Sequence, residues 1–349
     1  MGFNKGEWSE LYTFLYLLEN PRLSIVNEKL EIIESNLFKI LEIVTNEKKY
    51  KINQNKILKI VNDEVVNEYG IKYISEQNNI LLKAILSHTK AKGSFNIDEL
   101  QLLIDDLLDG KKPKGSSLVK GDLEANVLDK NYEGIVNIKY NIKSNLGSSA
   151  TLLNASNNTN FIYEVKNIDD DIMHECNNLD GRKKLLDRCT FLNKNETTIE
   201  FVKVESEVFD YNLKLIDSNL NQILAKILYL SYERNEKDIQ ELMSIISNNE
   251  DDYSFYKKKI GDFSNAVTFG MRAGEKWDGT NEVNGGILLV EASGNIYLLD
   301  IIYFKEIVNN YIINNIKLDS PSSTRYKMFD VYKENNRYYF KLNLQIRFK

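Results

Sequence analysis

Apolar residues recur every three or four positions over much of the N-terminal third, a spacing that predicts helices. Trp8, Leu11 and Phe14 follow it in residues 8–18, and Pro21 ends this first helix. The same spacing predicts further helices over residues 23–43, 76–87 and 96–110. The apolar face of each helix is expected to form core or a partner surface.

Apolar and polar residues alternate instead in the middle of the chain, which is typical of strands. Residues 118–128 and 135–143 alternate in this way and contain β-branched residues, with the turn-like residues 129–134 between them. They are predicted to be neighbouring strands. Short Ile- and Val-rich runs in residues 50–73, and residues 161–166, predict further strands.

The C-terminal half mixes both patterns. Residues 169–251 are rich in acids and predicted to be largely helical, including residues 219–232 and 236–247. Later elements are a hairpin of residues 285–290 and 295–300, a helix over residues 304–315, a loop at residues 320–326 and a strand over residues 337–348.

This order of elements predicts an α/β (α+β) fold with a mixed central sheet, flanking helices and a helical insertion. The predicted parts are a core of residues 1–168, a helical subdomain of residues 169–260 and a C-terminal α/β part of residues 261–349. A chain of 349 residues is long enough for a sizeable core.

Composition places the chain among soluble globular proteins, with 42% hydrophobic and 11% aromatic residues. No apolar run reaches the ~20 residues of a membrane span, and the N-terminal residues lack the apolar stretch of a signal peptide. The protein is therefore expected to be cytoplasmic and to have no membrane partner. Residues 285–290 contain two glycines without a following Lys-Ser/Thr, so no nucleotide cofactor is expected.

A net charge of −6 argues against a generic polyanion binder, although a local positive cleft still allows specific binding to DNA. The densest basic stretch is residues 110–115 with Lys120. A solvated loop is the default interpretation of such a run. Its place just before Asp122 also suits contact with a phosphate backbone.

The chain has few residues that could bind a metal through sulfur. His174 stands two residues before Cys176, and Cys189 follows thirteen positions later, without the paired spacings of zinc sites. Reduced, unliganded thiols are predicted. With His88 as the only other histidine, chemistry that depends on a histidine base is also not favoured.

The two central strands carry an acid, an amide and a lysine. A period of two places Asn141 and Lys143 on one face, and a hairpin would return them beside Asp122. Hydrolysis of a phosphodiester needs a hard cation and an activated water. Asp122 and Asn141 offer oxygen ligands for Mg²⁺, and Lys143 an ammonium for the water and the phosphate. By spacing alone, solvated positions at the edge of a sheet are the simpler interpretation.

This segment resembles the PD-(D/E)xK nucleases, with Asn141 where a second acid is usual. An amide is a weaker ligand, so another acid should compensate. Glu7 and Glu10 lie on neighbouring turns of the first helix, where acids also favour the helix N-terminus. Gly6-x-x-x-Glu10 looks like the first-helix acid of many such nucleases, which ranks Glu10 above Glu7.

A competing acid-lysine pair is Glu164-Val165-Lys166, on the predicted strand of residues 161–166. It has the standard ExK form. No Asp occurs in residues 131–163, so the pair lacks an upstream partner at ordinary distance and is the second choice.

Four blocks together resemble the HpaII family of type II restriction endonucleases; in order, they are residues 4–12, 141–161, 320–325 and 342–348. The resemblance implies a PD-(D/E)xK-like fold and a homodimeric, Mg²⁺-dependent enzyme that cuts double-stranded DNA at a short palindrome such as CCGG. It implies metal-ligand and lysine roles for Asp122 and Lys143, a divergent ligand in Asn141, and a helix-borne acid in Glu10.

Arginines are the natural readers of a G·C-rich site, because a guanidinium bonds guanine O6 and N7 together. Arg325 and Arg347 lie inside the resembling blocks, and Arg272 is a weaker candidate. Uncharged candidates for DNA contact are Ser144, Asn154, Ser156, Asn160 and Gln345. Alternatives are a sequence-specific DNA-binding protein without catalysis, another DNA nuclease, or a protein-interaction scaffold.

Overall fold

The structure is a computed structural model. The described residues are 2–45, 48–88, 93–110, 121–147 and 149–349. The chain divides into two compact units: unit 1 is Met1–Ala150 with Asn281–Tyr311, and unit 2 is Thr151–Thr280 with Ile312–Lys349. The predicted basic contact at residues 111–115 and Lys120 lies outside the described residues.

Helices and strands are numbered in chain order. The α-helices are α1 Lys5–Glu19, α2 Ile71–Ser87, α3 Gln101–Leu108, α4 Asp170–Asn178, α5 Lys184–Lys194, α6 Glu207–Ile216, α7 Leu220–Glu233, α8 Ile239–Ile246, α9 Glu250–Phe269 and α10 Lys305–Asn314. The strands are β1 Ile25–Val26, β2 Ile32–Glu34, β3 Phe38–Val44, β4 Lys48–Asn53, β5 Lys56–Val61, β6 Glu64–Gly70, β7 Leu123–Asp129, β8 Gly134–Ser144, β9 Thr151–Leu153, β10 Asn160–Lys166, β11 Thr198–Val204, β12 Gly286–Val290, β13 Ile296–Asp300, β14 Ile316–Leu318, β15 Tyr332–Glu334, β16 Arg337–Asn343 and β17 Ile346–Phe348.

Unit 1 is built on a mixed sheet of ten described strands, in the order β2-β1-β13-β12-β8-β7-β3-β4-β5-β6. The predicted hairpin β7–β8 is confirmed and lies in the middle of this sheet, where β8 also pairs in parallel with β12. α1 packs against β8, and its buried residues share one hydrophobic core with Ile138, Tyr140 and Ile142 of β8. The mixed α/β fold predicted from the sequence is confirmed.

The predicted hairpin β12–β13 is also confirmed, and its two glycines serve close packing of strands. A Cβ on Gly285 would lie 2.2 Å from a side-chain carbon of Ile138, and one on Gly286 2.0 Å from the carbonyl oxygen of Leu299. Gly286 also has φ +115, which disfavours other residues. At the other end of β12, Tyr12 of α1 donates a 2.6 Å hydrogen bond to the carbonyl of Gly294.

Unit 2 contains helices α4–α9 and two small antiparallel sheets, β11-β10-β16-β15 and β14-β17-β9. Its core includes stacked rings: Phe340 lies 5.3 Å from Tyr163 and 4.6 Å from Phe329, measured between ring centroids. Both cysteines, Cys176 and Cys189, are free and buried. Among the described residues, no helix is long and apolar enough to cross a membrane.

The helix predicted over residues 23–43 is wrong, because this segment forms β1, β2 and β3. A local turn interrupts it: the Asn27 side chain accepts hydrogen bonds from the backbone N–H groups of Lys29 and Glu31, and Leu30 has φ +64. Side chains that bond their own backbone in this way compete with a helix. In the predicted helical stretch of residues 169–251, β11 is an additional strand.

Candidate active site

Asp122 lies next to β8 at one end of the β7–β8 hairpin. Leu123 pairs with Tyr140, and the Asp122 N–H donates to the Tyr140 carbonyl at 2.9 Å. Asp122 therefore stands one residue before β7, close to the β8 residues that flank Asn141. Successive residues of a strand point to opposite faces, so Asn141 and Lys143 share one face of β8. The convergence of all three side chains stays a prediction.

The Asp122 carboxylate is held by the backbone of the neighbouring strand. Its Oδ2 accepts a 2.7 Å hydrogen bond from the N–H of Ile142. Its other oxygen accepts no hydrogen bond from any residue that the structure describes. The hydrogen bond fixes the direction of the carboxylate and leaves one oxygen for a ligand.

Asn141 and Lys143 lie next to an apolar strand. Asn141 is 3% exposed and Lys143 is half-buried. On β12, their parallel neighbours Ile287 and Leu289 are both buried. Within the described part of the chain, the Lys143 ammonium has no hydrogen bond or ion pair. An uncommitted ammonium beside a low-dielectric wall acts more strongly on an added anion than it would in water.

The two acids of α1 differ in their surroundings. Glu7 belongs to a capping box: its Oε2 accepts the N–H of Asn4 at 2.8 Å, and its own N–H donates to the Asn4 side chain at 3.0 Å. Its carboxylate thus stabilises the start of the helix. Glu10 is half-buried on the same helix, which packs against β8.

The alternative pair Glu164 and Lys166 lies on β10 in unit 2, in the sheet with β11 and β16. Glu164 is 3.7 Å from the Arg337 guanidinium, and Lys166 donates to Glu200 at 2.5 Å. Neighbouring strands therefore neutralise both charges.

Two of the predicted DNA-contact residues of unit 2 are exposed and uncommitted. The structure describes every residue of this unit, and within it neither the Asn154 side chain nor the Arg325 guanidinium has a hydrogen bond or ion pair. Arg325 lines a cavity of about 490 Å³ together with residues that were not predicted, among them Asn157, Asn158, Glu205, Lys327 and Lys341. Lys327 follows the resembling block by two residues, which is the one signal that sequence offered for it.

Two further predicted DNA-contact residues already have ionic partners within the protein. Arg272 pairs with Glu275 at 3.0 Å, and the Nε of Arg347 lies 2.6 Å from the Asp319 carboxylate. These ion pairs favour structural roles for both arginines. Gln345 is buried, with 8% of its surface exposed.

Ser144, Ser156 and Asn160 are also engaged. The Ser144 and Ser156 hydroxyls accept backbone N–H groups at 3.1 and 3.2 Å. Asn160 is 4% exposed, donates to Glu205 at 2.7 Å and accepts from Asn343 at 2.6 Å. The bonds of Ser156 and Asn160 hold the segment that follows Asn154 in place.

Comparison with known proteins gives the class of the chain. The family described as "HpaII restriction endonuclease" matches residues 4–348, and the chain belongs to this family. It is therefore a restriction endonuclease, a nuclease that cuts DNA at specific sites. A relative is "Type II restriction enzyme HpaII" of Haemophilus parainfluenzae, 32% identical over 363 aligned positions that cover 99% of this chain and 98% of the relative. No solved structure matches the chain.

Proposed function

We propose that this restriction endonuclease hydrolyses phosphodiester bonds with Mg²⁺ bound at Asp122 and Asn141, at a short palindrome such as CCGG. The observation that supports the proposal is the bonding of Asp122 to Tyr140 and Ile142, the two β8 residues that flank Asn141. Lys143 lies two positions after Asn141 on the same face of β8. By resemblance to the family, the working form is a homodimer, since a two-fold enzyme matches a two-fold site.

The donor set fits a magnesium ion. Asp122 offers one carboxylate oxygen that is free of hydrogen bonds within the described residues, and Asn141 an amide oxygen. Both are hard oxygen ligands, and Mg²⁺ commonly takes one or two carboxylates and keeps several waters. No group of three or more His, Cys, Asp or Glu side chains that could hold a metal occurs among the described residues. The ion would therefore depend on water and DNA phosphate for its remaining ligands.

When bound, Mg²⁺ would polarise the phosphoryl oxygen and make a bound water more acidic. Asp122 would be presented in a fixed direction, because Ile142 already holds one of its oxygens. The Lys143 ammonium would donate to the phosphate and offset the negative charge that develops there. Glu10 would supply from α1 the negative charge that Asn141 lacks.

A plasmid carrying mapped CCGG sites tests the proposal. We expect discrete fragments with Mg²⁺ and intact plasmid with a chelator. Lys143→Ala should slow cleavage by about 10²–10³-fold and spare DNA binding. Lys139→Ala is the matched control, because Lys139 lies on the same strand and face but opposite Glu124.

Three results would contradict the proposal. Fragment ends at another sequence would rule out CCGG as the recognition site. Cleavage in the presence of the chelator would rule out the dependence on a metal. Wild-type cleavage by Lys143→Ala would transfer the lysine role to Lys166.

A further inference from the structure

Arg325 stands on an irregular loop of unit 2, residues 320–331, called here the Arg325 loop. Its guanidinium and the Lys327 ammonium are exposed and have no side-chain partner in this fully described unit. The backbone conformation of the loop is unfavourable for its residues, because Lys327 and Phe329 have φ values of +48 and +55. Non-glycine residues avoid this region unless surrounding contacts impose it.

A buried arginine outside the loop supplies such contacts. Arg188 of α5 is 4% exposed, and its guanidinium bonds to two places at once. On one side its Nη1 donates to the carbonyl of Phe329 at 3.2 Å and to the carboxylate of Asp330. On the other side its Nε and Nη2 donate to carbonyls at the end of α4, those of Leu179 at 2.9 Å and Asn177 at 2.6 Å.

The same helix end holds the loop a second time. The side chain of Asn177 donates to the carbonyl of Val331 at 2.7 Å and accepts the Val331 N–H at 2.8 Å. Asn177 and Arg188 together thus fix three consecutive loop residues, 329–331, a few positions after Arg325. Because a buried charge needs all its hydrogen bonds, a shift of this backbone would leave the guanidinium unsatisfied.

We propose that Arg188 and Asn177 are positioning residues for DNA recognition, which hold the Arg325 loop in the conformation that presents Arg325 to a guanine. They touch no DNA themselves and act through the loop backbone. This inference rests on the proposed reading of DNA by Arg325. It assigns a role in specificity to α4 and α5, which belong to the segment that the sequence predicted to be largely helical.

The test measures discrimination rather than activity. We would determine kcat/KM on duplexes with the cognate site and with one mismatched base pair, together with kcat at saturating cognate DNA. Asn177→Ala and Arg188→Lys should lower the cognate-to-mismatch ratio about tenfold, roughly the value of one lost base contact, with kcat nearly unchanged. A merely structural loss would lower the rates on both duplexes together and preserve the ratio.

Asp217→Asn is the matched control, since Asp217 forms a half-buried ion pair with Lys259 elsewhere in unit 2. It should keep the wild-type ratio. Circular dichroism verifies folding, and Asn177→Ala, at a half-buried position, preserves the test if Arg188→Lys does not fold. A wild-type ratio in Asn177→Ala, with a lowered ratio in Arg325→Ala, overturns the positioning role alone. A wild-type ratio in Arg325→Ala overturns the reading of DNA by Arg325 and this inference with it.

Discussion

Asp122 has two separable roles in this structure, one in chemistry and one in the fold. Its carboxylate is the proposed metal ligand, and the same group accepts the N–H of Ile142, which is 8% exposed. Asp122→Asn keeps a side-chain oxygen near this N–H and removes the charge. Asp122→Ala removes both. Comparison of the two substitutions therefore separates the catalytic effect from the structural one.

The expected magnitudes differ for the two roles. A hydrogen bond to a charged acceptor contributes about 1.5–3 kcal/mol, so Asp122→Ala should lower the free energy of unfolding by about that amount. Asp122→Asn should lower it by about 1 kcal/mol. A metal that polarises the phosphoryl group contributes several kcal/mol to transition-state stabilisation, and about 4 kcal/mol corresponds to roughly 10³-fold in rate. Both variants should lose at least this factor.

Single-turnover cleavage of a cognate duplex measures the rate, and urea unfolding measures the stability. Glu124→Gln is the control, because it removes an acid two residues further along the chain, where the paired residue is Lys139 and not Ile142. Cleavage by Asp122→Asn within about tenfold of wild type would refute the metal-ligand role, given the expected 10³-fold loss. Equal stability of the Asn and Ala variants would show that the bond to Ile142 contributes nothing in solution.

Four further substitutions test the two acids of α1, the proposed guanine-reading arginine and a buried carboxyl. Glu10→Gln should slow Mg²⁺-dependent cleavage by about 10–100-fold. Glu7→Ala should lower the free energy of unfolding by about 0.5–1 kcal/mol in urea and leave the cleavage rate unchanged. The opposite pattern would exchange the roles of the two acids. Arg325→Ala should weaken binding to the cognate duplex by about 1–3 kcal/mol in fluorescence anisotropy and should spare binding to a non-specific duplex. Arg182→Ala, at an exposed position, is the control. Equal losses of affinity for the cognate and the non-specific duplex would make Arg325 a phosphate contact. Burial raises the pKa of Asp300 to about 6, so the folded state binds the carboxyl proton more tightly than the unfolded state does. Protonation of Asp300 therefore stabilises the fold at low pH, and this stabilisation is lost as pH rises from about 4 through 6. The free energy of unfolding of wild type relative to Asp300→Asn should therefore fall by about 3 kcal/mol over this window in urea titrations; a difference that does not change with pH would contradict the shifted pKa.

The sequence alone determined the local parts of this protein. Alternation of apolar and polar residues, with a turn between two runs, predicted the β7–β8 hairpin and therefore the approach of Asp122 to β8. Such pairing joins residues close in sequence, so it depends on few other contacts. The spacing of apolar residues in α1 was equally sufficient, because a long amphipathic run has few alternatives.

The pattern of apolar residues did not predict the correct secondary structure for residues 23–43. Their apolar positions suit one face of a helix as well as strands, and the pairing of β3 with β7 selects the strands. A short apolar run is ambiguous until a partner strand covers it, and that partner lies far along the chain.

Only the tertiary structure showed which of the candidate arginines is available to contact DNA. Arg325 and Arg347 look alike as sequence, yet Arg347 lies beside Asp319 while Arg325 is exposed and unpaired in its fully described unit. Arg188 gave no signal at all, because its acceptors include the carbonyl of Phe329, more than a hundred residues away in sequence. Local pattern fixes which way a side chain points along its own element, but the fold decides which distant groups meet it and so whether its charge is available.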